Sequence, residues 1–373
     1  MNSVSTEYFV DPCDGVANDG YDNKDGVLIV SKDQTIKGPN ETYFTILSPL
    51  GNGQFGNVFQ VLCMSADMEA PVVYAMKITK SQQHYQDQAN HEIEIHRRIQ
   101  EKIAAEDRKY IITMIMAFEY HNHVCIVSEL LSVDLYQVLK YRNFKGLSIS
   151  LVRNLLKQLL QDLVVLKKIG IIHGDIKPEN IMSVNGNNAI KLIDFGSAKT
   201  EGNFSDFYFQ SRYYRAPEVV LNLPYDYKVD VWSVACVAIE MFIANPIFAG
   251  QNELYLLQLI SQYVSQIPIS MIRSSPRRKD FFNHDNTLKT LNQYCYENGI
   301  QVPQFQPYLI YNTISELIMK YPIARANKQG DFLQKEMTRR EHFLKLIQKM
   351  LIIDPKLRPT PEKCLEDPFF TIP

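Results

Sequence analysis

Short apolar runs alternating with polar residues dominate the first third of the chain, and longer helix-spaced patterns dominate the rest. Phe44-Thr45-Ile46-Leu47 leads into a glycine-rich turn, and Val58-Phe59-Gln60-Val61 leaves it as a second strand. Further strands are expected near residues 72–78, 114–118 and 124–127, with one helix over about residues 88–105. Beyond Leu131 the period changes. Residues 151–169 place Leu155, Leu156, Leu159, Leu160 and Leu163 on one helical face. Residues 226–242 have hardly any polar face, which predicts a helix buried through a large second part. Shorter helices are expected at 253–264, 314–320 and 340–350. Residues 283–313, rich in Asn, Gln and Tyr without periodicity, read as a surface insertion. Residues 1–42 are polar except for Val27-Leu28-Ile29-Val30, a strand-like run expected to dock on the folded part. The pattern predicts one α+β domain with two lobes: a small, mostly antiparallel β lobe with one main helix, and a large, mostly helical lobe.

Composition narrows the partners. The chain has 373 residues, 46% of them hydrophobic, which suffices for a sizeable core. Basic residues number 39 and acidic residues 41, a formal net charge of -2, so no field for a polyanion exists and nucleic acid is not an expected partner. The six cysteines lie far apart with no CxxC pair, which fits a reducing compartment. The first residues lack a signal-peptide pattern, residue 2 is Asn, and the longest apolar stretch, 229–248, carries Asp230 and Glu240. The expectation is a soluble intracellular protein of the cytoplasm, with the nucleus as a further compartment and no membrane partner.

The glycine run Gly51-Asn52-Gly53-Gln54-Phe55-Gly56 is flanked by strands on both sides. Glycines let a hairpin press its amides on phosphate oxygens where a Cβ would intrude. A dinucleotide-binding turn would open a helix instead, and a merely tight hairpin is the bland alternative. Lys77, at the end of an apolar strand, could snorkel at a sheet edge. After such a loop it reads better as the cation on the ATP α- and β-phosphates, and it then needs an acidic tether. Glu92 and Glu94 lie two apart on a helix and cannot both face inward. Glu92 is chosen because Ala89, Ile93 and Ile99 share its face.

His173-Gly174-Asp175-Ile176-Lys177-Pro178-Glu179-Asn180 and Asp194-Phe195-Gly196 supply the remaining chemistry. Asp175 would accept the proton of an acceptor hydroxyl and Lys177 would reach the transferring phosphoryl group. Asn180 and Asp194 would hold Mg2+ through oxygen atoms. Val58, Ala75, Met182 and Ile193 would sandwich the adenine, Ser128 would form its back wall, and Glu129 and Leu131 would offer backbone groups to its edge. Gly174 stands where many enzymes of this chemistry carry an arginine that clamps a phosphorylated loop, so the loop must be held otherwise. Arg212 and Arg215 are candidates to grip a phosphate on Tyr208. Glu218 and Arg358 are expected to form a buried pair, and Asp230 to anchor the catalytic loop through backbone amides.

With these motifs in place, the chain resembles the eukaryotic protein kinases, and among them the dual-specificity tyrosine-regulated (DYRK) family of the CMGC group, Yak1-like branch. Glu129-Leu130-Leu131-Ser132, Gly146-Leu147-Ser148, Asp194-Phe195-Gly196-Ser197 and Tyr208-Phe209-Gln210-Ser211-Arg212-Tyr213-Tyr214-Arg215 carry the likeness to the branch. Asn18-Asp19-Gly20-Tyr21-Asp22 is similar to the family's N-terminal homology box. The resemblance implies a bilobal kinase: an extension over 1–42 whose box (18–30) docks on the small lobe, an N-lobe over 43–128 and a hinge at 129–132. A C-lobe over 133–373 would follow, with an activation segment at 194–218 and an insertion around 283–340. It further implies ATP and Mg2+, tyrosine autophosphorylation at Tyr208 bound by Arg212 and Arg215, and transfer to Ser/Thr of protein substrates, often before proline. The chain is expected to act as a monomer. Three positions depart from the family's pattern: Gly174, Asp206 for a tyrosine, and Ser128 for a bulky residue. A catalytically silent scaffold, the rival reading, wants Lys77, Asp175 or Asp194 missing, and all three are present.

Overall fold

A computed structural model describes residues 7–184, 188–202, 209–302, 309–322 and 330–372. The chain forms two compact units, Met1–Ser132 and Val133–Pro373.

The first unit is an antiparallel sheet of β1 (Thr35–Lys37), β2 (Tyr43–Gly53), β3 (Gly56–Met64), β4 (Val72–Thr79), β5 (Met114–Tyr120) and β6 (His123–Glu129), with α1 (Gln83–Lys102) between β4 and β5 in sequence. The spatial order is β1-β2-β3-β4-β6-β5. Period-two alternation puts Phe44, Ile46, Phe59, Val61, Met76, Ile78 and Val127 on one face. That face is covered by Val10, Leu28 and Val30 from the N-terminal stretch. On the other face Val124 and Ile126 pack on Ala89 and Ile93 of α1.

The N-terminal stretch is more integral than an extension ending at 42. Ile36 pairs with Phe44, so β1 is an edge strand of the sheet itself. Residues 27–30 are not a strand, although Leu28 and Val30 are buried. Their backbone bonds are divided: Ile29 N–H to Tyr21 O and Asn23 N–H to Val27 O flank an isolated bridge between Asp22 and Leu28, and Phe9 N–H donates to Val30 O. Helix α1 starts at Gln83, earlier than apolar spacing indicates, because its first turn is held by polar bonds: Gln86 Nε2 donates to the carbonyls of Ser81 and Asn122, 2.8 Å each.

The second unit is mainly helical: α2 (Leu135–Tyr141), α3 (Ile149–Lys168), α4 (Pro217–Val220), α5 (Lys228–Ile243), α6 (Glu253–Tyr263), α7 (Ile269–Ser274), α8 (Arg278–Phe281), α9 (Leu291–Glu297), α10 (Ile314–Lys320), α11 (Asp331–Met350) and α12 (Pro361–Leu365). Two small antiparallel pairs join β7 (Ile171–Ile172) to β10 (Lys199–Thr200) and β8 (Ile181–Ser183) to β9 (Ile190–Leu192). Every residue of α5 from Val229 to Ile243 is buried, as its uniform apolarity requires. The stretch read as an aperiodic insertion contains α9, nucleated by a capping box between Thr290 and Gln293. Helix α11 begins nine residues before its expected start at 340, because its first turns are polar and carry ion pairs of Asp331 with Lys335 and Glu336 with Arg340. Among the described residues no helix is long and apolar enough to cross a membrane.

Glu218 on α4 and Arg358 form a fork-to-fork pair, Nη1–Oε1 2.6 Å and Nη2–Oε2 2.9 Å, with both side chains fully buried. Carbonyls of Ile352, Lys228 and Ile353 take the other guanidinium protons, so none is left unpaired. Arg358→Met strands the Glu218 carboxylate and should lower stability by about 3–5 kcal/mol, while Arg358→Met with Glu218→Leu should cost less. Urea unfolding of both variants measures the difference.

Candidate active site

In the first unit the β2–β3 hairpin brings the glycine run to a two-residue tip at Gln54 and Phe55. Gly56 has φ +152, and a Cβ there would run into the carbonyl of Ile78 on β4, so the sheet itself demands this glycine. Gly51 and Gly53 are different. A Cβ on either would meet open space, with only Gly56 O at 3.8 Å from the second. Nothing in the protein needs that room, which fits a phosphate approaching the hairpin backbone. Asn52 and Gln54 are exposed beside it.

Register places Lys77 opposite Val58, and Ala75 opposite Gln60 and Ser128. Val58, Ala75, Lys77 and Ser128 therefore share the sheet face turned away from the main core, and all are half-buried. Lys77 Nζ lies 2.7 Å from Glu92 Oε2, and the Glu92 side chain is 6% exposed. Glu94 points to solvent. At the end of β6 the N–H of Glu129 donates to Thr113 O at 3.2 Å and its carboxylate accepts Thr113 N–H at 2.8 Å. Both the N–H and the carboxylate of Glu129 are thus engaged by Thr113. Leu131 is buried at the end of this unit.

One group was not found by sequence reasoning. Asp22 and His123 are completely buried and meet at 2.7 Å. His123 Nδ1 must carry a proton, since its partner at 2.6 Å is the Thr79 carbonyl. The second Asp22 oxygen accepts the Ser81 hydroxyl at 2.5 Å, just ahead of α1. Gln82, the N-cap of α1, supplies no side-chain cap, so the N-terminal stretch fixes the start of the helix that carries Glu92. The clue was local: Asp22 follows a turn-forming run yet stands before an apolar tetrapeptide.

In the second unit the catalytic loop follows β7. Asp175 is the hub. Its Oδ2 accepts Lys177 Nζ at 2.6 Å and Asn180 Nδ2 at 3.0 Å, and its Oδ1 accepts the Ser211 hydroxyl at 2.5 Å. Asn180 Nδ2 also donates to Asp175 O at 2.9 Å, so the amide oxygen is the atom left to face a cation. Asp194 has φ +62, and its Oδ1 accepts the Gly196 amide at 3.3 Å. Among the described residues there is no cluster of three or more His, Cys, Asp or Glu side chains able to hold a metal alone. An amide oxygen and one carboxylate suit Mg2+, which keeps waters and phosphate oxygens as its other ligands. Met182 on β8 and Ile193 just past β9 are half-buried, and the Ile193 N–H donates to Asn180 O at 3.0 Å.

Two supports hold the loop. Asp230 in the first turn of α5 accepts the amides of His173 at 2.7 Å and Gly174 at 3.0 Å, and burial raises its pKa against the opposing pull of those bonds. His173 Nδ1 accepts the Asp175 amide at 3.2 Å, so its proton is on Nε2, which donates to Ile193 O at 3.0 Å. His173 also packs edge-on to the buried Phe195.

Tyr208 and Asp206 lie outside the described residues. Past them, Ser211 is a second residue the sequence reading left without a role, and only its hydrogen bond to Asp175 reveals one. Arg215 is fully buried, with Nη1 on Glu253 at 2.8 Å and Nε and Nη2 on the carbonyl of Gln210. Glu253 also pairs with Arg277 at 2.8 Å. A phosphate on Arg215 would compete with that carboxylate, whereas half-exposed Arg212 spends one Nη1 bond on Gln251 O. Tyr214 donates to Glu240 Oε2 at 2.7 Å within α5, and Tyr213 is exposed.

Residues 44–370 match the family described as protein kinase domain. The chain belongs to that family. It is similar to the dual specificity protein kinase YAK1 of Saccharomyces cerevisiae, at 32% identity over 96% of this chain and 46% of that protein. It is likewise similar to the serine/threonine-protein kinase ppk15 of Schizosaccharomyces pombe, at 32% over 96% of this chain and 68% of that protein. A probable YAK1 homolog of Encephalitozoon cuniculi is 36% identical over 71% of this chain and 64% of its own length. The chain thus spans under half of the budding-yeast kinase and about two thirds of the other two. A protein kinase domain uses ATP and acts on protein substrates.

Two expectations follow from the geometry. Glu92→Gln removes a charge-assisted bond worth about 1.5–3 kcal/mol, so kcat/KM for ATP should fall about 10–100-fold, and Glu94→Gln should not change it. Glu240 is the second case. Burial, with Glu179 nearby and Tyr214 opposing, pushes its pKa from 4.5 to about 7. Between those values the folded chain keeps a proton that the unfolded chain has lost, so stability falls as pH rises through the window, by about 3 kcal/mol in all. Glu240→Gln should flatten that part of the pH profile, as urea midpoints at pH 4.5 and 7.5 would reveal.

Proposed function

We propose that this kinase domain transfers the γ-phosphoryl group of ATP to serine or threonine of protein substrates, and to its own Tyr208. The observation that carries the reading is the Asp175 carboxylate with Lys177, Asn180 and Ser211 all bonded to it. One Asp175 oxygen takes the proton of the acceptor hydroxyl as the new O–P bond forms and the bond to the β,γ-bridging oxygen breaks, leaving its electron pair on ADP. Lys177 stabilises that carboxylate and offers its ammonium to the phosphoryl oxygens. Lys77, tethered by Glu92, holds the α- and β-phosphates, and the hairpin amides from Gly51 to Gly56 cover them. Mg2+, held by Asn180 Oδ1 and the Asp194 carboxylate, would neutralise phosphate charge.

Gln210 supports a preference for proline after the acceptor. It precedes Ser211, whose hydroxyl is on Asp175, and on this reading a substrate residue adjoining the acceptor would pass its backbone. Gln210 has φ +64, which turns its carbonyl onto Arg215 Nε and Nη2. An amide arriving there finds that acceptor filled. Proline brings no amide to leave unpaired. We assign the phosphate on Tyr208 to Arg212, because it is half-exposed, whereas Arg215 is buried against Glu253.

The test uses labelled ATP, Mg2+ and a Ser-Pro peptide beside its Ser-Ala counterpart. Asp175→Asn should lower kcat by about 10²–10⁴-fold, Asp194→Ala should abolish transfer, and the Ser-Pro peptide should win by about tenfold. Mass spectrometry of protein made in bacteria should find phosphate on Tyr208, absent in Lys77→Ala. Wild-type protein that transfers nothing would return the scaffold reading to first place.

A further inference from the structure

Gly174, beside the catalytic aspartate, has no side chain with which to grip the activation segment, and the structure contains an answer other than charge. Gly174 has φ +75, and a Cβ on it would enter the ring of Phe209 at Cε2 and Cζ and come within 3.2 Å of Ser197 O. The Phe209 ring therefore occupies the space in which a side chain at 174 would begin. It is buried, stacks on Tyr225 at 5.1 Å and 15°, and has Lys199 Nζ 4.8 Å from its centroid. Lys199 lies on β10, paired with Ile172 on β7, one residue ahead of His173. The ring is thus fixed by the same strand pair that launches the catalytic loop.

We propose that Phe209 is a positioning residue for Asp175, acting through the bare backbone of Gly174. Residues 209–211 hold the site in three successive ways. Phe209 packs where a side chain of Gly174 would begin, and Asp230 binds the Gly174 amide. Gln210 anchors its amide nitrogen to Val229 O and Ser233 Oγ of α5, and its amide oxygen accepts the Ala216 N–H. Ser211 bonds the Asp175 carboxylate itself. Asp230 holds the peptide that enters Gly174, the ring packs where its Cβ would be, and the next peptide is held by the Asp175 N–H on His173 Nδ1, so Phe209 borders the one residue that links these two bonds. Glycine at 174 and phenylalanine at 209 make sense as a pair: a larger residue at the first would expel the second. The segment is held to the loop by ring packing and by the Ser211 hydroxyl on the Asp175 carboxylate, with no phosphate required at that point.

The proposal rests on Asp175 being the base, and its test separates the two ideas. In the full chain, Phe209→Ala should lower kcat by about 10²-fold with KM for ATP unchanged, as expected when a reacting group shifts by about 1 Å. Gly174→Ala should lose activity through both its φ and its clash with the ring. Adding Phe209→Ala to Gly174→Ala should cost much less than the same change in the wild type, because the clash has gone. Amide hydrogen exchange across residues 171–177 provides a readout independent of turnover. Phe209→Ala should speed exchange there while leaving α5 protected. The proposal fails if the two substitutions multiply independently, if kcat is unchanged in Phe209→Ala, or if exchange rises equally throughout the second unit. Should the wild type prove inactive, the functional reading falls and the exchange measurement still decides this one.

Discussion

The catalytic loop hangs on one carboxylate. Asp230 sits in the first turn of a helix buried on every side, and it takes the amides of both residues that precede Asp175. A buried carboxylate without donors would be costly, and a loop bend without acceptors would leave its amides unpaired. Each resolves the other, and the N-terminal end of α5 adds a favourable dipole. Since the helix cannot roll within its packing, neither can the loop. Every hydrogen bond around Asp175 presupposes that anchor.

The first unit solves a parallel problem with different means. Lys77 must be held on a sheet face that stays half-open, so its ammonium needs a partner from elsewhere. That partner rides on α1, a helix with no side-chain cap of its own. The N-terminal stretch fills the lack, covering one face of the sheet with Leu28 and Val30 and fixing Ser81, two residues ahead of the helix, through Asp22. The stretch is part of how Glu92 is presented. It is also part of the core.

Two ion pairs of the second unit rest on fully buried arginines, Arg358 and Arg215. Glu218 with Arg358, and Glu253 shared by Arg215 and Arg277, lock the second unit behind the activation segment. Such pairs add little net stability but penalise any alternative arrangement that separates them. Where Gly174 leaves no charge to use, an aromatic ring takes over. The segment ahead of Ala216 is consequently held at closely spaced points by four different physical devices: ring packing, side-chain amide bonds, a hydroxyl and an ion pair.

Motifs in which the chemistry dictates residue type were legible in the chain itself. The glycine hairpin, Lys77, the Asp175 loop, Asp194, and even the pairing of Glu92 over Glu94 follow from spacing and periodicity, because short-range geometry fixes which side chains share a face. The sequence also declared α5 buried and Glu218 in need of a cation. Its failures have one cause. Helix starts held by polar bonds, as in α1 and α11, leave no apolar period, and a capping box gives α9 away only to a reader looking for it. Roles created by distant partners leave no local trace at all: Ser211 is one serine among many until it meets Asp175, and nothing near Arg215 in the chain announces its ion pair with Glu253. Gly174 was visibly unusual in the sequence. Only tertiary packing could say that the missing side chain makes room for Phe209, because the space at a glycine belongs to whatever the fold brings against it.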